Sequence, residues 1–142
     1  MSDELRGVVV CHGRLAGALV DAAEQISGVT GALTAVTNTG CDRGTLEERV
    51  AEAVGAGPAV VFVDLASGSC LFAVLNQLRA TVGAKVVTGV NLAMLVDFVF
   101  HRTLPPEEAA ARAAIAGGKA IRVPRCRSCS AGWTIAWCTA RW

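Results

Sequence analysis

The sequence predicts an α/β fold, with a doubly wound, mostly parallel sheet and helices on both of its faces. Short apolar runs rich in β-branched residues alternate along the chain with segments of helical periodicity. The runs are apolar at consecutive positions rather than at alternate ones, which is typical of parallel strands covered on both faces. Strict alternation of strand and helix favours crossover connections and therefore a parallel sheet.

The first half of the chain contains two strand-helix units. The run GVVVC (7–11) is the first predicted strand, and ALTAVTN (32–38) is the second. The helix after the second strand contains Thr45 and Glu48, whose spacing predicts a capping box at its start. The predicted apolar stripe of the first helix consists of Leu15, Leu19, Ala22, Ala23 and Ile26.

The middle of the chain repeats this order. PAVVFVDL (58–65) is the clearest buried strand, and the small residues ASGS (66–69) predict a turn after it. AKVVTGV (84–90) predicts a fourth strand, followed by a helix from Asn91 to about His101. The stripe of the helix between these two strands is predicted to consist of Leu71, Val74, Leu75 and Leu78.

The last predicted helix is TLPPEEAAARAAIAGG (103–118). We expect Thr103 to cap it, its prolines to lie in the first turn, and its Gly-Gly pair to end it. KAIRV (119–123) then predicts a last short strand.

Composition excludes several classes of protein. The chain has 142 residues, which is the length of one domain, and a formal net charge of +1 with mixed signs, so nucleic acid is a poor candidate partner. Asp64 and Asp97 interrupt the longest apolar runs, and we therefore expect no direct membrane insertion. The polar start MSDELRG lacks the order of a secretory signal and favours a cytoplasmic protein.

Three groups of residues follow predicted strands and should lie at one edge of the sheet. They are His12, Asp64 with the turn after it, and TGVN (88–91). Ligands of open parallel sheets bind at the carboxyl ends of strands, where the winding reverses. A carboxylate at the end of a buried strand needs a partner, and an imidazole N–H would satisfy it and leave the other ring nitrogen as a nucleophile.

Simpler roles compete with this interpretation. His12 would be structural if a loop carbonyl satisfied it, and Ser69 would be only a helix cap. Asp64 as a magnesium ligand is disfavoured because one carboxylate is too few. The backbone N–H groups of Ser67, Gly68 and Ser69 would suit an anion, although the chain has neither a Walker sequence nor G-x-G-x-x-G.

The segments VVVCHGRLAGALVDAAEQI (8–26), VVFVDLASGS (60–69) and VVTGVNLAMLVDFV (86–99) resemble, in this order, the enzyme IIA component of the mannose-type (mannose/fructose/sorbose) bacterial phosphotransferase system. The resemblance extends over residues 7–123 and implies a IIA domain at 1–123. It implies that His12 is phosphorylated by HPr and passes the phosphoryl group to enzyme IIB for sugar uptake, as a phosphohistidine carrier without metal or cofactor.

The resemblance also assigns the other site residues. It implies that Asp64 is the hydrogen-bonding partner of the histidine and that the turn at Gly68 and Ser69 holds the phosphoryl oxygens. It implies a homodimer in which KAIRV (119–123) is exchanged. The chain departs from the family pattern in three places, at Cys11, at Ala66 and Ser67, and at Cys70, Leu71 and Phe72, where proline, phenylalanine and asparagine are usual. A regulatory module that senses phosphorylation, without a transport role, is the alternative function, and a small binding protein is the third.

The tail at 124–142 differs in composition from the rest. It contains all three tryptophans and half of the six cysteines. Cys126 and Cys129 have the C-x-x-C spacing of half a zinc site or of a redox pair, but the tail contains no histidine. A shift of one base in its back-translated codons permits V-D-D-R-L-V-H-G-Q-V, which resembles the start of enzyme IIB. We therefore interpret the tail as out-of-frame translation, which the coding DNA would test.

Overall fold

The computed structural model describes residues 4–123, which form four strands and five helices. The tail at 124–142 lies outside the described residues, as do the predictions made for it. The strands are β1 (Arg6–Cys11), β2 (Leu33–Thr37), β3 (Ala59–Val63) and β4 (Ala84–Thr88). The helices are α1 (Leu15–Ser27), α2 (Arg43–Val54), α3 (Ser69–Leu78), α4 (Leu92–Phe100) and α5 (Pro106–Ala120). The predicted α/β fold is confirmed.

The four strands form one parallel sheet in the order β2-β1-β3-β4. The chain winds from β1 outward to β2, and then crosses to β3 on the other side of β1, so the winding reverses between β1 and β3. The register pairs Val10 with Val63, which brings the carboxyl ends of these two central strands side by side. Any residues that directly follow them meet at the switch point of the sheet.

Helices cover both faces of the sheet. One face packs against α1, α4 and α5, and the other packs against α2 and α3. Successive side chains of a strand point to opposite faces of the sheet, and both faces are covered, so the strands are apolar at every position. In β1, Val9 and Cys11 point to the face covered by α1, α4 and α5, and Val8 and Val10 point to the face covered by α2 and α3. The two central strands are thereby buried between two apolar cores.

Two predicted helix starts are wrong. Helix α2 begins at Arg43, because the carboxylate of Asp42 accepts a hydrogen bond from the backbone N–H of Thr45 at 2.8 Å, and the turn that contains Thr45 is already helical. The predicted capping box at Thr45 therefore does not form. Thr103 does not cap α5, since Pro105 occupies the N-cap position and Pro106, with its fixed φ, begins the helix.

The predicted Gly-Gly stop of α5 is also wrong, and with it the start of the predicted last strand at Lys119. Helix α5 continues through Gly117 and Gly118 to Ala120. Gly117 is buried against the side chain of Met94, where a Cβ would clash, so this glycine serves close helix packing rather than termination. The helix consumes the first two residues of KAIRV, and residues 121–123 are not in a strand.

The buried face of α1 differs from the apolar stripe that was predicted for this helix. Ala16, Val20 and Ala23 face the core, whereas Leu15 and Ile26 are 43% and 62% exposed. Small side chains at the contact let the helix lie close to the sheet. None of the helices in residues 4–123 has the length and apolar character needed to cross a bilayer.

Candidate functional site

His12 and Asp64 meet at the switch point of the sheet. His12 follows the last residue of β1 and Asp64 follows the last residue of β3, and the adjacent register of these strands brings the two side chains together across 52 positions of sequence. The His12 Nδ1 atom lies 2.9 Å from Asp64 Oδ2. The pairing expected from the sequence is present in the structure.

The carboxylate of Asp64 holds both the backbone and the ring of His12. Asp64 Oδ2 accepts a hydrogen bond from the backbone N–H of His12 at 2.9 Å, and Oδ1 accepts one from the backbone N–H of Leu65 at 3.0 Å. Burial alone would raise the pKa of the Asp64 carboxyl, but the hydrogen bonds from the His12 backbone and ring, the His12 charge and the Leu65 N–H together lower it. An ionised Asp64 can only accept, so Nδ1 carries the ring proton and Nε2 keeps its lone pair.

The two side chains differ in solvent exposure, as expected for a nucleophile and the group that orients it. The Asp64 side chain is 10% exposed, whereas the His12 side chain is 39% exposed. The carboxylate is therefore shielded from water while the ring remains open to a reacting molecule. A histidine satisfied by a loop carbonyl, which was the structural alternative, is not what the structure has at this position.

Residues at the end of β2 position the loop after His12. Gly13 has a positive φ of 59°, and its backbone N–H donates to Asn38 Oδ1 at 3.1 Å. The Thr37 hydroxyl donates to the carbonyl of Gly13 at 2.6 Å. Thr37 and Asn38 were not expected at the site from the sequence, although they form the polar end of ALTAVTN, whose strand pairs with β1.

The turn before α3 lies beside the free nitrogen of the ring. Gly68 is the N-cap residue with a φ of 93°, and a Cβ there would lie 3.9 Å from His12 Nε2. Ser69 is the first residue of α3 and does not cap it by a side-chain hydrogen bond, so that alternative is wrong. Ser67, Gly68 and Ser69 are all exposed, at the positive end of the helix.

Cys70 is a further side chain at the site that sequence analysis did not place there. Its Sγ lies 3.8 Å from His12 Nδ1 and 4.0 Å from Nε2. Burial raises the pKa of the Cys70 thiol, and the charge of Asp64 adds to this effect. The only signal in the sequence was its place in the first turn of the helix after Asp64.

The third group expected at this edge has a different role. The Asn91 side chain accepts a hydrogen bond from the backbone N–H of Met94 at 3.1 Å, which caps α4, and its amide donates to the carbonyl of Gly117 at 3.1 Å. TGVN (88–91) therefore ties α4 to α5 through Asn91 and does not contact the pair formed by His12 and Asp64 through any of these hydrogen bonds.

The family model described as PTS system fructose IIA component (EIIA-man) matches residues 7–115. The chain belongs to this family. Its members are components of sugar phosphotransferase systems, so the chain is a phosphotransferase component of the IIA type. No curated protein matches the sequence.

Solved structures share the fold of this IIA chain. The mannose/sorbose specific IIA subunit of the phosphotransferase system from Enterococcus faecalis is 23% identical, with a TM-score of 0.76, over 87% of this chain and 96% of that one. The phosphotransferase system component EIIA from Streptococcus agalactiae is 18% identical, with a TM-score of 0.78, over 84% and 96% of the two chains. A sigma-54 interaction domain protein from Enterococcus faecalis is 15% identical, with a TM-score of 0.66, over 82% and 92%.

A groove of about 470 Å³ opens next to the site of the IIA chain. Asn38 and Cys41 line it from the loop after β2, and Ser69 and Phe72 line it from α3. Phe72 is 58% exposed. The groove therefore joins the residues that hold the loop after His12 to the helix whose N-terminus faces the ring.

Proposed function

We propose that this IIA chain is a phosphocarrier in which His12 accepts a phosphoryl group from phospho-HPr and passes it to enzyme IIB for sugar uptake. The observation that supports this best is the hydrogen bond of 2.9 Å between His12 Nδ1 and Asp64, which leaves Nε2 as the free nucleophilic nitrogen beside the N-terminus of α3. The family supplies the phosphotransferase context.

The reaction is an in-line displacement at phosphorus. The Nε2 lone pair of His12 forms the new N–P bond, and the bond between phosphorus and the donor breaks, with its electron pair left on the donor. The ring becomes cationic as it attacks, and the carboxylate of Asp64, held against Nδ1–H, stabilises this charge. Transfer to enzyme IIB is the same step in reverse, with an acceptor in place of the donor.

The turn before α3 stabilises the transferred group. The transition state of phosphoryl transfer is loose and spreads charge over the equatorial oxygens, so it needs placement and hydrogen-bond donors more than covalent help. Backbone N–H groups of Ser67, Gly68 and Ser69 serve as these donors, and the positive end of α3 adds to them. The positive φ of Gly68 favours glycine, which places no side chain beside Nε2. This route requires neither metal nor cofactor.

The carrier is a homodimer in this proposal, with the last described residues paired to the partner's sheet. Ile121 follows α5 in an extended conformation and is 78% exposed, and Val123 is 95% exposed. Strand β4 forms an edge of the sheet, with an unpaired row of backbone groups. Sedimentation velocity would show a dimer, and a monomer at micromolar concentration would contradict this part of the proposal.

A regulatory module is the second candidate. The fold match to the sigma-54 interaction domain protein from Enterococcus faecalis favours it, because that protein is named for an interaction with sigma-54 rather than for sugar transport. In such a module phosphorylation of His12 would alter binding to a regulator instead of feeding enzyme IIB.

The deciding experiment is intact mass after incubation with phosphoenolpyruvate, enzyme I and HPr. We expect one acid-labile phosphoryl group on the wild type and none on His12→Ala. The matched control is His101→Ala, because His101 is the other of the two histidines and lies at the end of α4. Phosphorylation of the His12 variant would contradict the assignment. Passage of the group to enzyme IIB would then distinguish the carrier from the regulatory module.

A further inference from the structure

Three side chains of different ligand types converge at the reactive histidine. His12, Asp64 and Cys70 each offer one ligand atom, and these atoms lie within 4.8 Å of one another. They come from three separate segments, namely the end of β1, the end of β3 and the first turn of α3. We propose that these three residues bind a zinc ion, and that the bound ion blocks phosphorylation of His12.

The spacing of the ligand atoms suits a tetrahedral zinc ion. With Zn–N and Zn–O bonds of about 2.0 Å and a Zn–S bond of about 2.3 Å, tetrahedral ligand atoms lie roughly 3.3–3.5 Å apart. His12 Nδ1 lies 2.9 Å from Asp64 Oδ2 and 3.8 Å from Cys70 Sγ. Both pairs require adjustments of only a few tenths of an ångström. The third pair, between the Asp64 oxygen and Cys70 Sγ, lies within 4.8 Å and would close by up to about 1.3 Å around the ion. On binding, the ring proton would move from Nδ1 to Nε2, and the thiol proton of Cys70 would be released to solvent.

The donor set selects among metals. Imidazole and thiolate are ligands that zinc prefers, whereas magnesium is bound through oxygen ligands alone. The carboxylate is already oriented, because Asp64 Oδ1 accepts the backbone N–H of Leu65 while Oδ2 faces His12. The 39% exposed side of His12 leaves the fourth position to water, which is the arrangement of an open zinc site.

Occupancy would oppose phosphorylation, and this part rests on the proposed function. A zinc ion on Nδ1 leaves the one proton of the neutral imidazole on Nε2, so that this nitrogen has no lone pair with which to attack phosphorus. It also places a divalent cation where Asp64 would otherwise stabilise the cationic ring of the transition state. By linkage, the factor by which bound zinc lowers the equilibrium constant for phosphorylation of His12 is also the factor by which phosphorylation lowers the affinity for zinc. The site would therefore make phosphoryl uptake sensitive to zinc.

The test uses Co²⁺ as a spectroscopic substitute for zinc. The protein is the full chain carrying Cys126→Ser, Cys129→Ser and Cys138→Ser, because the tail cysteines could also bind metal. We expect a thiolate-to-cobalt absorption band that saturates at one ion per chain and is displaced by zinc. Cys70→Ser should abolish the band. Cys41→Ser is the matched control, because the Cys41 thiol contacts the carbonyls of Thr37 and Thr39 and lies outside the cluster.

A second ligand variant makes the test independent of Cys70, whose replacement changes a buried side chain. His12→Ala changes a partly exposed residue, and we expect it to weaken cobalt binding roughly tenfold or more. A band that persists in Cys70→Ser, or that disappears only in Cys41→Ser, would overturn the site.

Phosphorylation with and without zinc is measured separately. We expect zinc to slow the wild type and to leave Cys70→Ser unaffected, and equal inhibition of both proteins would overturn the blocking role. If no protein is phosphorylated at all, the proposed function fails, while the cobalt titration still decides the metal site.

Discussion

Asp64→Asn tests the electrostatic role of the carboxylate with almost no change of size. The mutation removes one charge-assisted hydrogen bond to His12 Nδ1, which is 2.9 Å long in the wild type. Hydrogen bonds to charged groups contribute roughly 1.5–3 kcal/mol, which corresponds to about 10- to 150-fold in rate. We expect the upper part of this range, because the asparagine amide can also donate to Nδ1 and thereby move the ring proton to Nε2, where it blocks the nucleophile.

The assay is the initial rate of phosphoryl uptake from phospho-HPr, followed by intact mass at fixed pH. Thermal unfolding of each variant shows whether the protein used is folded. Asp21→Asn is the control, because Asp21 is an exposed carboxylate on α1, and we expect its rate to stay within about twofold of wild type. A folded Asp64→Asn protein with a rate close to wild type would refute the proposed stabilisation of the cationic ring.

Three predictions concern the scaffold of the site. Gly117→Ala should lower the free energy of unfolding by about 1–3 kcal/mol, because its Cβ clashes with Met94. Gly118→Ala should raise the free energy of unfolding by roughly 0.5–1 kcal/mol, because a Cβ there has no atom within 4 Å and alanine favours the helix. Equal effects of the two variants in urea denaturation would contradict the packing. Asn91→Ala should lower the free energy of unfolding by about 1–2 kcal/mol, because α4 loses its cap. Asn91→Asp keeps the capping acceptor and loses only the donor to the carbonyl of Gly117, so it should lower the free energy of unfolding by less. The reverse order of the two variants would contradict the capping role. Burial, and then neighbouring negative charges, raise the pKa of Cys11 from its ordinary 9.0 to about 12. Native Cys11 should therefore resist iodoacetamide at pH 8, and rapid labelling of the native protein would contradict this. The free energy of unfolding should fall as pH rises above about 9, because only the unfolded thiol ionises there.

His12 and Asp64 could be paired from the sequence because each directly follows a short apolar run. Parallel strands bring their carboxyl ends to one edge, and a buried strand that ends in a carboxylate needs a donor. The neighbouring order of the two strands, and hence the distance of 2.9 Å, required the sheet itself. Cys70 could not be placed, since its contact with the ring depends on how the loop after Asp64 enters α3.

Helix ends and buried faces were predicted less well, for a related reason. A capping box and a Gly-Gly stop are local signals, but Asp42 begins α2 earlier and the packing of Gly117 on Met94 carries α5 through its glycines. In α1 the small residues rather than the leucines face the sheet, because close approach decides which side of a helix is buried.

The sequence by itself determined the alternation of strands and helices, because apolar periodicity is a property of neighbouring residues. It also determined that a histidine and a carboxylate end the strands. The tertiary structure alone decided the strand order, the rotation of the helices and the approach of Cys70 to His12 across 58 positions. These depend on packing between segments that are distant along the chain, which local patterns do not encode.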